Sequence, residues 1–146
     1  MSVLKTRAAA SAAKTLRAGI VGCGRIASGF AGDKRRKGVV THAQAYRAHP
    51  DTQLVAACDL DRGRLEAFGR QWGVKRLYTD AKEMLASEKP DFLSICTWND
   101  SHCQIVEDAV KSGVKALFTE KPMAKTLLEA DRMVELCEKS KVLFQH

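Results

Sequence analysis

The sequence predicts an α/β fold: a doubly wound parallel sheet of about six strands with helices on both faces. Three observations carry that reading. Short apolar runs alternate with helical periodicities from Arg17 to Phe144. The runs lack polar alternation, which suits strands buried on both faces of a parallel sheet. The first run ends in a glycine-rich turn that opens a helical segment. Repeated strand, helix, strand order then implies parallel pairing with right-handed crossovers.

The first strand is expected over residues 18–21 and the second over 53–58 (QLVAAC). Residues 91–97 (DFLSICT), 114–118 (VKALF) and 142–144 give three more, and 76–78 a short further one. Helices fall between them. Residues 42–48 continue a helix that starts after the glycine turn and is interrupted near 32–38. Residues 62–72 form a helix closed by Gly73, and 81–87 a short one. Ser101 and Gln104 have capping-box spacing before Ile105, Val106, Ala109 and Val110, and Ser112 with Gly113 supplies a stop. Thr126 and Glu129 make the same box, and Leu127, Ala130, Val134 and Cys137 follow on one helical face.

With 146 residues, 45% of them apolar, the chain has room for one domain and one core. The formal charge of +7 is unevenly placed. It lies in an acid-free opening segment with Lys5, Arg7, Lys14 and Arg17, in the run from Asp33 to Lys37, and at Arg25. From Gly38 onward, 15 basic and 16 acidic residues nearly cancel. A nucleic-acid binder spreads its basic stripe over a structured face. Here the charge sits in a tail and a loop, and no aromatics interleave the basic run. Solvated segments are therefore favoured over a polyanion site. Residues 1–16 read as an Ala-rich basic tail that is disordered, although their composition is also that of an organelle transit peptide. The remainder, 17–146, is the domain. Five cysteines with no C-x-x-C spacing argue against a disulfide framework or zinc site. A reducing, cytoplasmic compartment follows. No apolar run approaches the roughly 20 residues that span a bilayer, so no membrane association is expected.

Gly22-Cys23-Gly24-Arg25-Ile26-Ala27 is G-x-G-x-x-A directly after the first strand. The first glycine permits a tight turn, and the second lets backbone approach a pyrophosphate with no Cβ in the way. The small Ala27 lets helix and strand pack closely. The following helix would aim its N-terminal amides, including those of Arg25 and Ile26, at the phosphates. Cys23 is read as a small tolerated side chain rather than a redox thiol. Strand, turn and helix in this order make the segment a Rossmann-type dinucleotide-binding fingerprint. The acid after the second strand is Asp59. It would accept hydrogen bonds from the adenosine ribose and repel a 2′-phosphate, favouring NAD over NADP. Its alternative role is a helix cap, for which Asp61 competes. Arg62 and Arg64 nearby keep NADP open. The interval from the glycines exceeds the usual ~20 residues, because 29–41 reads as an insertion.

The carboxyl ends of parallel strands are where ligands bind in open α/β sheets. Residues 97–102 and 119–122 both lie at such ends. Thr97-Trp98-Asn99-Asp100-Ser101-His102 follows one strand, and Glu120-Lys121-Pro122 follows the next. Together with the glycine turn, these residues resemble the N-terminal half of the Gfo/Idh/MocA oxidoreductases, over Leu16 to His146. The resemblance implies NAD(P)-dependent hydride transfer at an alcohol carbon of a sugar or cyclitol. It implies that Glu120 and Lys121 line the nicotinamide pocket and that Lys121 is catalytic, holding the substrate hydroxyl and assisting its proton transfer. Thr97, Asn99 and His102 would lie along the cofactor. A nicotinamide cation beside Lys121 would favour the neutral amine, which suits proton exchange with an alcohol. One departure is Trp98, where the family usually has proline.

Members of that family continue into a second α/β domain that supplies most of the substrate pocket. The expectation is thus a complete cofactor half without its substrate half: a truncated or fragmentary enzyme, or a chain that pairs with another polypeptide. Self-association or a partner would use the exposed edge around 142–144. A non-catalytic dinucleotide-binding module shares the same glycine turn and stays open.

Overall fold

The structure, a computed structural model, describes residues 15–146. The tail therefore lies outside the described residues up to residue 14, and Leu16 already belongs to the first strand. Six strands form one sheet: β1 (Leu16–Val21), β2 (Thr52–Cys58), β3 (Arg76–Tyr78), β4 (Phe92–Ile95), β5 (Ala116–Thr119) and β6 (Leu143–Gln145). Their spatial order is β3-β2-β1-β4-β5-β6, and every pairing is parallel. Five α-helices connect them: α1 (His42–Ala48), α2 (Arg62–Trp72), α3 (Ala81–Glu88), α4 (His102–Ser112) and α5 (Leu127–Lys139).

Strand alternation divides the core into two layers. Ile20 and Ala57 face a cluster with Ala27, Ala43, Leu65 and Phe68, which belong to the glycine turn, α1 and α2. Their neighbours Val21 and Cys58 face the other side, with Met84, Leu85, Val106, Ala109, Met133 and Cys137 from α3, α4 and α5. Both faces are covered, which is why the strands read as apolar runs. At the opposite end of the sheet from the glycine turn, Asp91 braces three strands. Its carboxylate accepts from the Arg17 amide at 3.0 Å and pairs with Lys115 Nζ at 2.7 Å.

The caps follow local chemistry. Asp61 caps α2 by accepting from the Arg64 amide, and Gly73 closes it in the left-handed conformation at φ +70°. Thr126 and Glu129 form the expected reciprocal capping box on α5. At α4 the expected box is absent. The Ser101 hydroxyl turns to Thr97 Oγ1 at 2.7 Å, and Gln104 reaches forward to Asp108. A nearby side-chain partner outcompeted the helix's own amides.

The helix expected after the glycine turn is also different. Residues 24–28 make a single turn and Gly29–Gly32 a 3₁₀ segment before the chain wanders to Thr41. Yet the ladder resumes across the gap. The His42 amide donates to the Ile26 carbonyl at 3.3 Å and the Ala43 amide to that of Ala27 at 3.0 Å. The insertion is thus an excursion spliced into one helical axis.

Among the described residues, no helix is long and apolar enough to cross a membrane, and no group of three or more His, Cys, Asp or Glu is placed to hold a metal ion. Leu93 is fully buried in central β4. Replacing Leu93 with Ala should cost about 3 kcal/mol through lost transfer energy and the cavity left behind. Replacing Leu143, which is 74% exposed, should cost under about 0.5 kcal/mol. Urea unfolding of both variants checks the contrast.

Candidate functional site

Strand order reverses at β1: the chain proceeds outward through β2 and β3 on one side, and through β4, β5 and β6 on the other. The crevice outside the carboxyl ends of β1 and β4 is where such sheets hold ligands. The glycine turn stands at this point. Gly22 has φ +90°, and a Cβ there would lie 2.7 Å from the Cys96 carbonyl carbon and 2.8 Å from the Thr97 nitrogen. The first glycine is required by backbone packed on backbone. At Gly24 a Cβ would meet nothing within 4 Å, so its surface is open to a close approach from outside.

The hydrogen bonds sort the amides of the turn into paired and unpaired donors. The Gly22 amide donates to the Cys58 carbonyl at 2.8 Å, and the Cys23 amide to Asp59 Oδ2 at 2.7 Å. Those two donors are committed to the scaffold. The amides of Ser28 and Phe30 turn back on the carbonyls of Gly24 and Arg25. Between them, the amides of Gly24, Arg25, Ile26 and Ala27 make no hydrogen bond among the described residues. Unpaired first-turn amides of this kind are an anion site. The unpaired run therefore starts at Gly24, two residues later than the first glycine. Arg25 leaves it on the outer side, its guanidinium 4.6 Å from the Phe30 ring centre, and Arg36 from the insertion sits 4.0 Å from the same ring.

Asp59 is 7% exposed at the end of β2. Besides the Cys23 amide it accepts from the Asp61 amide at 2.8 Å, and Arg64 lies 3.4 Å from both its oxygens. Asp61, not Asp59, is the helix cap. Asp59 ties the glycine turn to β2 and sets a carboxylate beside it. Past it, a cavity of about 290 Å³ is lined by Arg62, Leu65, Tyr78 and Thr79. Burial and the neighbouring Asp59 charge push the Cys23 thiol far above its ordinary range. Burial also pushes Cys58 up to about 12. Neither is a thiolate nucleophile at neutral pH.

On the other side of β1, the loops after β4 and β5 are stitched together. His102, expected along the cofactor, has no exposed surface. Its Nδ1 lies 2.9 Å from the Met123 carbonyl and its Nε2 3.0 Å from that of Thr97. Asn99 Nδ2 donates to the Ala124 carbonyl at 3.3 Å. Thr97 and Asn99 stay at the rim, and Trp98 projects outward, 85% exposed. The Glu120 amide donates to the Ile95 carbonyl, which carries the β4–β5 ladder into the Glu120-Lys121-Pro122 tripeptide.

Glu120 and Lys121 point to different places. The Glu120 carboxylate turns inward to His42 Nε2 at 2.8 Å. His42 Nδ1 lies 2.9 Å from Ser94 Oγ, which is 2.7 Å from the Tyr46 hydroxyl. Lys121 is exposed and makes no ion pair or hydrogen bond among the described residues. Sequence reasoning missed His42, Tyr46 and Ser94. The one available signal was Ser94, a polar residue inside an otherwise apolar strand. Such a residue requires a polar partner from a covering helix.

The first glycine gives a direct check. Gly22→Ala should destabilise the fold by about 2 kcal/mol or more, from positive φ and the backbone clash. Gly24→Ala should stay within about 0.5 kcal/mol. Thermal unfolding without ligand reads both.

Comparison with known proteins agrees with this geometry. Residues 16–146 match the family described as oxidoreductase family, NAD-binding Rossmann fold. D-apiose dehydrogenase of Paraburkholderia graminis is 37% identical over 129 residues, covering 88% of this chain and 31% of the relative. Myo-inositol 2-dehydrogenase of Thermotoga maritima is 28% identical over 128 residues, covering 88% and 34%. An oxidoreductase from Agrobacterium radiobacter, solved in complex with NAD+, L-tartaric acid and magnesium, superposes with a TM-score of 0.75 at 31% identity, covering 90% of this chain and 34% of that one. The chain spans about a third of the length of the relatives it matches. On its glycine turn, its strand order and this match, the chain belongs to the Gfo/Idh/MocA oxidoreductase family, as its NAD-binding Rossmann-fold part.

Proposed function

We propose that this domain binds NAD across the carboxyl edge of the sheet and is the nucleotide-binding half of an enzyme that transfers hydride at an alcohol carbon of a sugar or cyclitol. The observation that carries the reading is the run of amides at Gly24, Arg25 and Ile26, unpaired among the described residues, beside an open Gly24 face. The pyrophosphate would rest there, held by backbone donors and the positive end of the turn. The adenosine ribose would meet Asp59. A 2′-phosphate would meet the same carboxylate, and Arg64 is already shared between Asp59 and Asp61, which supports NAD over NADP. The nicotinamide would lie on the other side of β1, over the loops that hold Thr97, Asn99 and Glu120.

Bound NAD supplies a hydride acceptor. The chain's own contribution would be the exposed side chain of Lys121, placed to hold a substrate hydroxyl and exchange its proton. The relatives are named for apiose and inositol, and a polyol or sugar substrate is proposed by that likeness. The remaining substrate contacts would come from a second domain or a partner chain. The open edge of β6 supports self-association or a partner there. Five unpaired cysteines support a reducing, cytoplasmic setting.

Fluorescence titration should show NADH binding, with NADPH weaker by about tenfold from the Asp59 charge. Gly24→Leu should abolish NADH binding while leaving the unfolding midpoint in place. Unchanged NADH affinity in that variant would reject the cradle. Turnover of a polyol panel with NAD, lost in Lys121→Ala, would favour the enzyme; binding without turnover, in the presence of candidate partners, would favour a non-catalytic module.

A further inference from the structure

We infer that His42 is a positioning residue that couples the phosphate-binding turn to the Glu120-Lys121 tripeptide, so that the two ends of the dinucleotide are held in one register. The inference rests on the function proposed above and goes further, to a residue outside both motifs.

His42 touches both halves of the site. Its backbone amide donates to the Ile26 carbonyl at 3.3 Å, on the turn whose amides form the cradle. Its ring, 78 residues away in sequence from the tripeptide, reaches Glu120 Oε1 at 2.8 Å. Two further contacts hold the ring. Phe118 meets it edge to face with centroids 4.9 Å apart, and Ser94 Oγ lies 2.9 Å from Nδ1.

The proton arrangement follows from what each group can do. An ionised carboxylate only accepts, so His42 Nε2 carries the proton and donates to Glu120. In a neutral ring Nδ1 then accepts from the Ser94 hydroxyl. Ser94 in turn accepts from the Tyr46 hydroxyl at 2.7 Å. Burial pushes the Tyr46 phenol upward, which keeps it a donor. Tyr46, Ser94, His42 and Glu120 thus make one directed chain in which each link is satisfied. The chain ends on the residue directly before Lys121. With its carboxylate turned inward, Glu120 holds the backbone that presents Lys121 at the rim. Tyr46 and His42 both lie on α1, so one hydrogen-bonded chain joins α1, β4 and the β5 loop.

Paired titrations on the full 146-residue chain test this. NADH reports both ends of the site, and ADP-ribose, which lacks the nicotinamide, reports the adenosine and pyrophosphate end. His42→Ala should weaken NADH by about tenfold, quench the emission gain of the bound nicotinamide, and leave ADP-ribose within about twofold. His42→Gln, whose amide can still donate to Glu120, should recover most of the loss. Adding Glu120→Gln to His42→Ala should give less than the sum of the single effects. Equal weakening of both ligands, or no recovery in His42→Gln, would reduce His42 to a scaffold residue and overturn the inference. Should His42→Ala fail to fold, Ser94→Ala cuts the chain one link back: loss on NADH alone supports coupling, and equal loss contradicts it. A wild-type chain that binds ADP-ribose while all variants match it on NADH overturns only the coupling. A wild-type chain that binds neither ligand overturns the proposed function and this inference with it.

Discussion

The site depends on two strands meeting without a side chain between them. At the end of β1 the backbone of Gly22 lies against the backbone of Cys96 and Thr97, with room for a hydrogen and nothing larger. The contact is locked by the Gly22 amide on the Cys58 carbonyl and the Cys96 amide on the Val21 carbonyl. Three strand ends are thereby drawn to one point, where the strand order reverses. Everything placed there follows from that closeness. Asp59 can reach back to the Cys23 amide, the next amides are left unpaired among the described residues, and the loop after β4 begins beside the turn. A methyl at Gly22 would spread all of these together.

Beyond the turn, the site is held by polar links between segments remote in sequence. His102 bridges the carbonyls of Thr97 and Met123, and Asn99 reaches Ala124. His42 ties α1 to Glu120. Each such bond in a low-dielectric interior contributes about 1 kcal/mol net. The larger effect is geometric, since a lost partner leaves a buried group unpaired at a cost of about 1–3 kcal/mol. The two loops are therefore well determined, although few of their residues belong to regular elements. The side chain of Lys121, by contrast, is left exposed and unpaired among the described residues, as is that of Lys125 further along the same loop.

Much of this was legible in the sequence where the signal is local. Apolar runs without alternation marked the strands, because both sheet faces are covered. Gly73 and Gly113 marked helix ends, because both sit at positive φ. The Thr126–Glu129 box formed as its spacing required. The glycine fingerprint lay where a strand met a turn. What was not legible depends on register between distant segments. Ser101 had the right spacing for a cap, yet its hydroxyl found Thr97 first. The ladder from Ile26 and Ala27 to His42 and Ala43 bridges an insertion that hides helical periodicity. That His42 meets Glu120 follows from how α1 lies over β4 and β5, and no pattern within either segment encodes it. That the Gly22 and Cys23 amides are committed to β2 and Asp59 was hidden for the same reason. Only the neighbouring strand shows that the earlier amides are already used.

The most direct test of the account is a two-dimensional amide NMR spectrum of the chain recorded as NAD is added. Binding at the turn requires the largest shifts at the amides of Gly24, Arg25 and Ile26, with a second group around Asp59 and Thr97. Shifts confined to other surfaces, or a spectrum unchanged at millimolar NAD, would contradict it.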